Sequence, residues 1–164
     1  MTLPETEKQL PNNKRELLTG KNYEMYNLDL MRKVFPRIIN EYEGLYQRKQ
    51  RKPQFRDIIA LYFYLLSYVD GRHTWENGDA SVRFGASFPS KSKICADLGI
   101  AEARIKPLVT VLLTNGLLLN VKDHWEGTKR SKWYFVSFCP HVTDDGYIVN
   151  DDGEAVKPDL SLYQ

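Results

Sequence analysis

The fold is decided by residues 88–118, which spell FPSKSKICADLGIAEARIKPLVTVLLTNGLL. Ser90 is placed to cap a helix over residues 91–98, since its hydroxyl can accept a hydrogen bond from the first helical turn. Gly99 then ends that helix in the left-handed conformation, which glycine adopts without steric cost. A second helix is predicted from about Glu102 to Thr114, because its apolar residues recur at helical spacing. Two helices joined by so tight a turn predict a helix-turn-helix.

Two strands are predicted to follow the second helix. Residues 117–121 form a mostly apolar run, and residues 133–138 are rich in aromatic and β-branched side chains. Between them, residues 123–132 are predicted to form a polar loop, with Gly127 near its middle. With the short extended segment before the first helix, this order of elements is that of a winged helix-turn-helix.

Further helices are predicted upstream. Residues 55–69 carry one broad apolar stripe, as a helix packed on a core does. Residues 28–46 show the same spacing, and Pro36 within them predicts either a kink or the start of the helix. Residues 73–84 contain an Asn-Gly turn signal and predict a small hairpin or an irregular insertion. The fold class predicted is α+β, mainly helical.

The chain divides into four predicted regions. Residues 1–22 are a flexible N-terminal arm, and residues 23–54 are an N-terminal helical extension that ends in a basic linker. Residues 55–140 are the winged helix-turn-helix, and residues 141–164 are an acidic tail, for which a small hairpin and a disordered segment both stay open. The tail carries six acidic residues against one lysine, although the whole chain has a net charge of +2. The charge distribution therefore predicts basic surfaces upstream of an acidic end.

Composition narrows the class of protein. Cys95 and Cys139 are too few for a disulfide framework and predict reduced thiols. The polar N-terminus is unlike a secretory signal, and the longest apolar run, residues 58–66, is too short to span a membrane. We therefore expect a cytoplasmic protein without a membrane partner. No Gly-rich phosphate loop, nucleophile elbow or metal-ligand spacing stands out, so we expect no cofactor, no metal and no enzymatic activity.

Residues 88–118 resemble the helix-turn-helix of bacterial plasmid and phage replication initiators and replisome organisers, and of related winged-helix regulators. The likeness rests on Leu-Gly-Ile at residues 98–100 and on Asn-Gly-Leu-Leu at residues 115–118. It extends to the basic and aromatic residues 129–134 of the return strand. The helix at residues 55–69 matches their first helix, so the resemblance covers about half of the chain.

Two positions depart from that resemblance. Ala101 stands where serine or threonine would cap the second helix better. Pro107 cannot donate to the carbonyl of Ala103, which leaves open a helix that starts one turn late, near Arg104. The three histidines also lack the pairing that a rolling-circle initiator needs for its metal. An initiator of this kind would act by binding DNA and recruiting partners.

The resemblance implies a protein of a mobile element that binds double-stranded DNA. Its expected role is replication initiation or its control, through binding of origin DNA and recruitment of replication proteins. Two alternatives stay open: a transcription regulator with the same fold, and a winged helix used as a protein-interaction module. The helix at residues 28–46 is expected either to pack on the winged helix or to form a homodimer interface.

The predicted DNA contacts fall into three groups. The outer face of the second helix offers polar and basic groups to base edges, and the N-terminus of the first offers amides and lysines to a phosphate. The tip of the wing offers basic groups to a minor groove or a phosphate. In chain order the predicted residues are Ser90, Lys91, Ser92, Lys93, Glu102, Arg104, Lys106, Thr110, Lys129, Arg130, Ser131 and Lys132.

Two other features, a basic run and a set of aromatic residues, are not counted among the predicted DNA contacts. The basic run at residues 48–52 has the composition of a DNA-contacting loop, but also that of a solvated linker. The aromatic residues Tyr62, Phe63, Tyr64, Tyr68, Trp133 and Tyr134 are spaced for packing in a core and not for stacking on single-stranded bases.

Overall fold

The computed structural model describes residues 25–49, 51, 53–69 and 85–164. In these ranges the chain is α+β, with four α-helices and one three-stranded antiparallel sheet. No helix in the described part of the chain is both long and apolar enough to cross a membrane. The arm predicted at residues 1–22 and the insertion predicted at residues 73–84 lie outside the described residues.

The N-terminal helical segment changes its winding beside a proline. A π-helical turn, Leu30–Val34, leads directly into helix α1, Phe35–Leu45. Pro36 is the second residue of α1, and it has no N–H with which to bond to the carbonyl four residues earlier. This is the position at which the sequence predicts a kink or a start.

Helix α1 packs within the chain. Its inward side chains join those of helix α2, Asp57–Ser67, in one core. Phe35 meets Tyr62 edge to face at 5.8 Å, and Tyr42 stacks on Phe55 at 3.5 Å between ring centroids. Because this apolar face is covered by the chain's own residues, it no longer supports the expectation of a homodimer formed through it.

The segment predicted to be a helix-turn-helix follows its local signals. Helix α3 spans Lys91–Leu98, where the Ser90 hydroxyl accepts a hydrogen bond from the amide of Lys93 at 3.1 Å. Gly99 has φ of 66°, the left-handed value that closes a helix. Helix α4 spans Glu102–Thr114, the range that its apolar spacing predicts, so Pro107 does not delay its start to Arg104.

The sheet has the order β1–β3–β2, with all neighbours antiparallel. Strand β1 is Ala86–Ser87, two residues before the extended segment that the sequence predicts. Strand β2 is Leu118–Glu126 and strand β3 is Lys129–Val136. The long antiparallel pair of β2 and β3 is called the ribbon below.

The prediction of a polar loop over residues 123–132 is wrong. The ribbon pairs without a break from Asn120↔Phe135 to Glu126↔Lys129, and only Gly127 and Thr128 form the turn. Gly127 has φ of 61° at the first central position, as glycine has in a two-residue hairpin turn. Polar residues persist on both faces here because the outer ribbon has solvent on each side, so its composition resembles that of a loop.

The C-terminal residues fold back onto the helices. Two short antiparallel bridges, Val142↔Ile148 and Val149↔Ala155, shape the segment, which ends in a 3-10 turn at Leu160–Tyr163. At Gly146 the backbone comes so near to Lys33 that a Cβ would lie 2.8 Å from the Lys33 carbonyl oxygen. The acidic segment is therefore packed against the start of α1.

Candidate nucleic-acid interface

A groove of about 620 Å³ opens between the outer half of the ribbon and the N-terminal ends of α3 and α4. We call it the ribbon groove. Seven of the twelve predicted DNA contacts line it, although they come from three separate elements. These seven are Ser90, Lys91, Glu102, Lys129, Arg130, Ser131 and Lys132.

The rim of the ribbon groove is mainly basic. Lys91 and Lys129 are exposed, and the guanidinium of Arg130 lies 5.9 Å from the ring centroid of Trp125, its partner across the ribbon. Lys132 also has a cross-strand partner, because its Nζ lies 3.3 Å from the Asp123 carboxylate. Exposed cations held at a hairpin tip form a surface that attracts phosphate.

Two carboxylates share the groove with these cations. Glu102 begins α4, and Glu126 ends β2. Glu126 lies 3.6 Å from the Nε2 atom of His124. The lining thus combines four Lys or Arg side chains with two Glu side chains. A phosphate would therefore be attracted to the part of the groove near the cations and repelled near the two carboxylates.

Aromatic rings form the floor of the groove. Trp133 and Tyr134 are buried, in agreement with their predicted packing role. The imidazole of His124 stacks on Trp133 with 4.0 Å between centroids, and Phe88 tilts against Trp133 at 6.0 Å. Phe88 is nevertheless 40% exposed. His124 is not among the contacts predicted from the sequence. Once residues 118–126 and 129–136 are known to pair as strands, the register places His124 opposite the predicted contact Ser131.

The outer face of α4 carries less charge than the sequence suggests. Lys106 is exposed, and the Thr110 hydroxyl is half-buried and donates to the Lys106 carbonyl at 3.0 Å. Arg104 does not project from this face. Its Nη2 lies 2.6 Å from the Asp57 carboxylate and donates to the Gln54 carbonyl at 2.6 Å.

The position of Arg104 has a simple helical cause. Residues at i+4 and i+7 share a face, and the residues so related to Arg104 are Leu108 and Val111, which are buried. Arg104 therefore lies at the edge of the buried stripe, where its guanidinium reaches the N-terminus of α2. The outward placement expected from the sequence is corrected here.

At the N-terminal end of α3, too, some of the predicted contacts bond within the protein and others are exposed to solvent. The Ser90 hydroxyl is used in capping, while Ser92 is exposed. The Nζ of Lys93 lies 3.2 Å from the Asp97 carboxylate, which also accepts from the Tyr64 hydroxyl at 2.6 Å. These donors hold the pKa of Asp97 below its usual value, and the bond to Asp97 raises the pKa of Lys93. Lys93 is thus held on its own helix.

Other candidate groups stay apart from the groove. In the basic run at residues 48–52, positions 50 and 52 lie outside the described residues, and the Lys49 ammonium lies 4.7 Å from the Tyr46 ring centroid. Over the ranges that the structure describes, no group of three or more His, Cys, Asp or Glu side chains is placed to hold a metal.

The chain matches no protein-family model, no curated protein and no solved structure. Its function is therefore inferred from the ribbon groove and from the charges around it.

Proposed function

We propose that the protein binds double-stranded DNA, and that α2, α3, α4 and the sheet serve as a winged helix-turn-helix. The observation that carries this proposal is the ribbon groove, where basic side chains from distant parts of the chain meet. Lys91 comes from α3, and Lys129, Arg130 and Lys132 come from the tip of the ribbon. Cations gathered in this way displace counterions from a phosphate backbone.

The proposed complex assigns a different part of the DNA to each element. Helix α4 enters the major groove with Lys106 and Thr110 on its accessible side. The N-terminal amides of α3, with Lys91, contact a phosphate. The ribbon, which extends roughly 25 Å from Leu118 at about 3.3 Å per residue, reaches the next groove or its phosphates. Arg104 is assigned to the protein's own stability.

We also propose a cytoplasmic role in the replication of a mobile element, with replication proteins as partners. The resemblance of residues 88–118 to initiators and replisome organisers supports this role. Nuclease footprints on the DNA that surrounds the gene test it. Protection of several repeats is expected; protection of a single palindrome at a promoter would instead indicate a transcription regulator.

DNA binding is tested by fluorescence anisotropy on a labelled duplex of about two helical turns, at several salt concentrations. Affinity should fall steeply with salt, because each neutralised phosphate releases about 0.9 counterion. Replacing Lys129, Arg130 and Lys132 by Ala should lower the slope of log K against log salt by about two to three.

The matched control removes the same charge elsewhere. Arg32, Lys33 and Lys157 lie on or near the junction of the π-helical turn and the C-terminal segment, outside the ribbon groove. Their triple Ala variant should keep the wild-type slope. Equal losses in both triple variants, or no duplex binding by the wild type at low salt, would contradict the proposal and favour a protein-interaction module.

A further inference from the structure

Duplex binding leaves the floor of the ribbon groove unused. A double helix is too wide to enter a space of about 620 Å³, whereas this volume lies within the range of about 300–1,000 Å³ that pockets for small molecules have. Trp133 and Tyr134 are buried beneath its floor, whereas Phe88 and His124 keep part of their surface accessible. Flat, accessible rings below a basic rim are the arrangement on which proteins stack unpaired bases.

The two carboxylates limit which chemical groups can bind inside the ribbon groove. A phosphate would be repelled by Glu102 and Glu126, which line the groove beside the cations. A base edge that carries an amino group, such as that of cytosine, donates hydrogen bonds to a carboxylate. The cations of the rim then suit the phosphates on either side of that base.

We propose that the ribbon groove takes up one unpaired, amino-bearing base from a DNA strand whose phosphates lie on its rim. The base stacks on the exposed surface of Phe88, whose ring tilts against the buried Trp133 with 6.0 Å between centroids. Glu102 accepts from the amino group. This inference deepens the proposed function and rests on it, because the rim has to bind the strand.

The test compares four labelled DNAs of one sequence by anisotropy: a paired duplex, a duplex with one unpaired cytosine, one with an unpaired thymine, and a single strand. Because stacking and amino-group recognition favour the first bulge, the protein should bind the cytosine bulge about tenfold more tightly than the paired duplex. Thymine presents a carbonyl in place of the amino group, so its bulge should bind more weakly than the cytosine bulge.

Variants separate stacking from amino-group recognition. Phe88→Leu keeps an apolar contact with Trp133 but removes the ring, so it should abolish the preference for either bulge and leave paired-duplex affinity unchanged. Glu102→Gln should retain a preference for bulges but lose discrimination between cytosine and thymine. The matched control is Phe138→Leu, which removes an exposed aromatic ring outside the groove and should change neither preference.

A spectroscopic measurement provides a second readout. The fluorescence of 2-aminopurine falls when the base stacks, so it should drop when a bulge containing it binds the wild type and should stay high with Phe88→Leu. Thermal melting of each variant shows whether it is folded.

The outcomes distinguish the two proposals. Equal affinity of the wild type for paired and bulged duplexes would overturn the base site and leave duplex binding intact. Binding of the single strand alone, lost in Phe88→Leu, would support the base site and overturn duplex binding. Failure to bind any of the four DNAs would overturn both.

Discussion

Arg104 shows at the scale of one residue how a helix position changes the role of a charge. Its guanidinium joins the start of α4 to the Asp57 carboxylate and to the Gln54 carbonyl, ahead of α2. Both charged side chains are about one-third exposed, so solvent screens their attraction. The pair is therefore expected to add only modestly to the free energy of unfolding.

A double-mutant cycle measures this pair. Arg104→Ala and Asp57→Ala should each lower the free energy of unfolding, with a coupling of about 0.5–1 kcal/mol, because the pair is partly exposed. Urea titration gives the free energies, and anisotropy on duplex DNA gives affinity. Lys106→Ala should weaken DNA binding more than Arg104→Ala does. An Arg104→Ala variant of unchanged stability that loses preference for one DNA sequence would contradict this assignment.

The ribbon shows at the scale of an element how much one turn controls. Gly127 and Thr128 alone connect two strands of nine and eight residues, and Gly127 has a positive φ. A β-branched residue is strongly disfavoured at such a φ. The cations at the tip are positioned only while the last pairs of the ribbon, next to this turn, stay formed.

Gly127→Val should loosen the tip and weaken DNA binding, while changing the melting temperature little, because the tip lies far from the core. Anisotropy and thermal melting measure the two effects. Gly44→Ala is the matched control: Gly44 lies in α1, and an added Cβ would have no atom within 4 Å beyond its chain neighbours and the backbone of its own helix. It should stabilise the helix by about 0.5–1 kcal/mol and leave DNA affinity unchanged. Wild-type affinity in Gly127→Val would argue against a role for the tip.

Helix α4 tolerates Pro107 for a reason that lies in its surroundings. The proline removes the N–H that would bond to the Ala103 carbonyl. Ala103 and Pro107 are both exposed, so water can satisfy that carbonyl and the ring does not have to fit into the core. The helix therefore begins at Glu102, as its apolar spacing indicates, and does not wait for the proline.

At the scale of the whole molecule, one polar cluster joins α1 and the C-terminal segment to the end of α4. The Arg37 guanidinium pairs with Glu41 and donates to the Asn115 side chain at 2.9 Å. The Asn115 amide donates to the Tyr163 hydroxyl at 3.0 Å, which in turn donates to Glu41 at 3.2 Å. Arg37 also donates to the Gly146 carbonyl at 2.8 Å. The C-terminal segment is thus part of the folded unit.

Truncating Tyr163 should therefore destabilise the protein. The ring is 3% exposed and packs against Phe55 and Tyr42 at 5.5 Å and 6.0 Å between centroids. Tyr163→Ala should lower the free energy of unfolding by about 3–5 kcal/mol, because it leaves a cavity. Tyr163→Phe keeps the packing but loses the hydrogen bonds of the hydroxyl, so it should lower the free energy of unfolding by about 1 kcal/mol. Urea titration checks both values, and an unaffected Tyr163→Ala would mean that the segment does not pack there.

Tyr163 should also make the free energy of unfolding depend on pH in the alkaline range. Burial raises the pKa of Tyr163 from 10.0 to about 12. In the unfolded chain the hydroxyl loses its proton near its ordinary value, so the contribution to stability is full below about pH 10. It is lost as the pH rises toward 12. Tyr163→Phe should make unfolding free energy less sensitive to pH over this window, and equal sensitivity in both proteins would contradict the assignment.

The sequence by itself determined the elements whose signals are local. The Ser90 cap and Gly99 place α3 at residues 91–98, as predicted, because capping bonds join residues only a few positions apart. The helix predicted at residues 55–69 is α2 at Asp57–Ser67, with ends that differ by two residues. Seven residues that line the ribbon groove, five charged residues and two serines, had been predicted as DNA contacts from their residue type and their place in the predicted elements.

Only the tertiary structure decided which of those residues meet. Arg104 bonds to a carbonyl 50 positions earlier, and Tyr46 to one 117 positions later, and no local pattern encodes such partners. The floor of the groove needs Phe88 to reach Trp133 across the sheet, and the ribbon needs each strand as the other's partner. A polar strand that is exposed on both faces buries few side chains, so its sequence lacks the alternation of apolar and polar residues that predicts a strand. Only its pairing with a neighbouring strand distinguishes it from a loop.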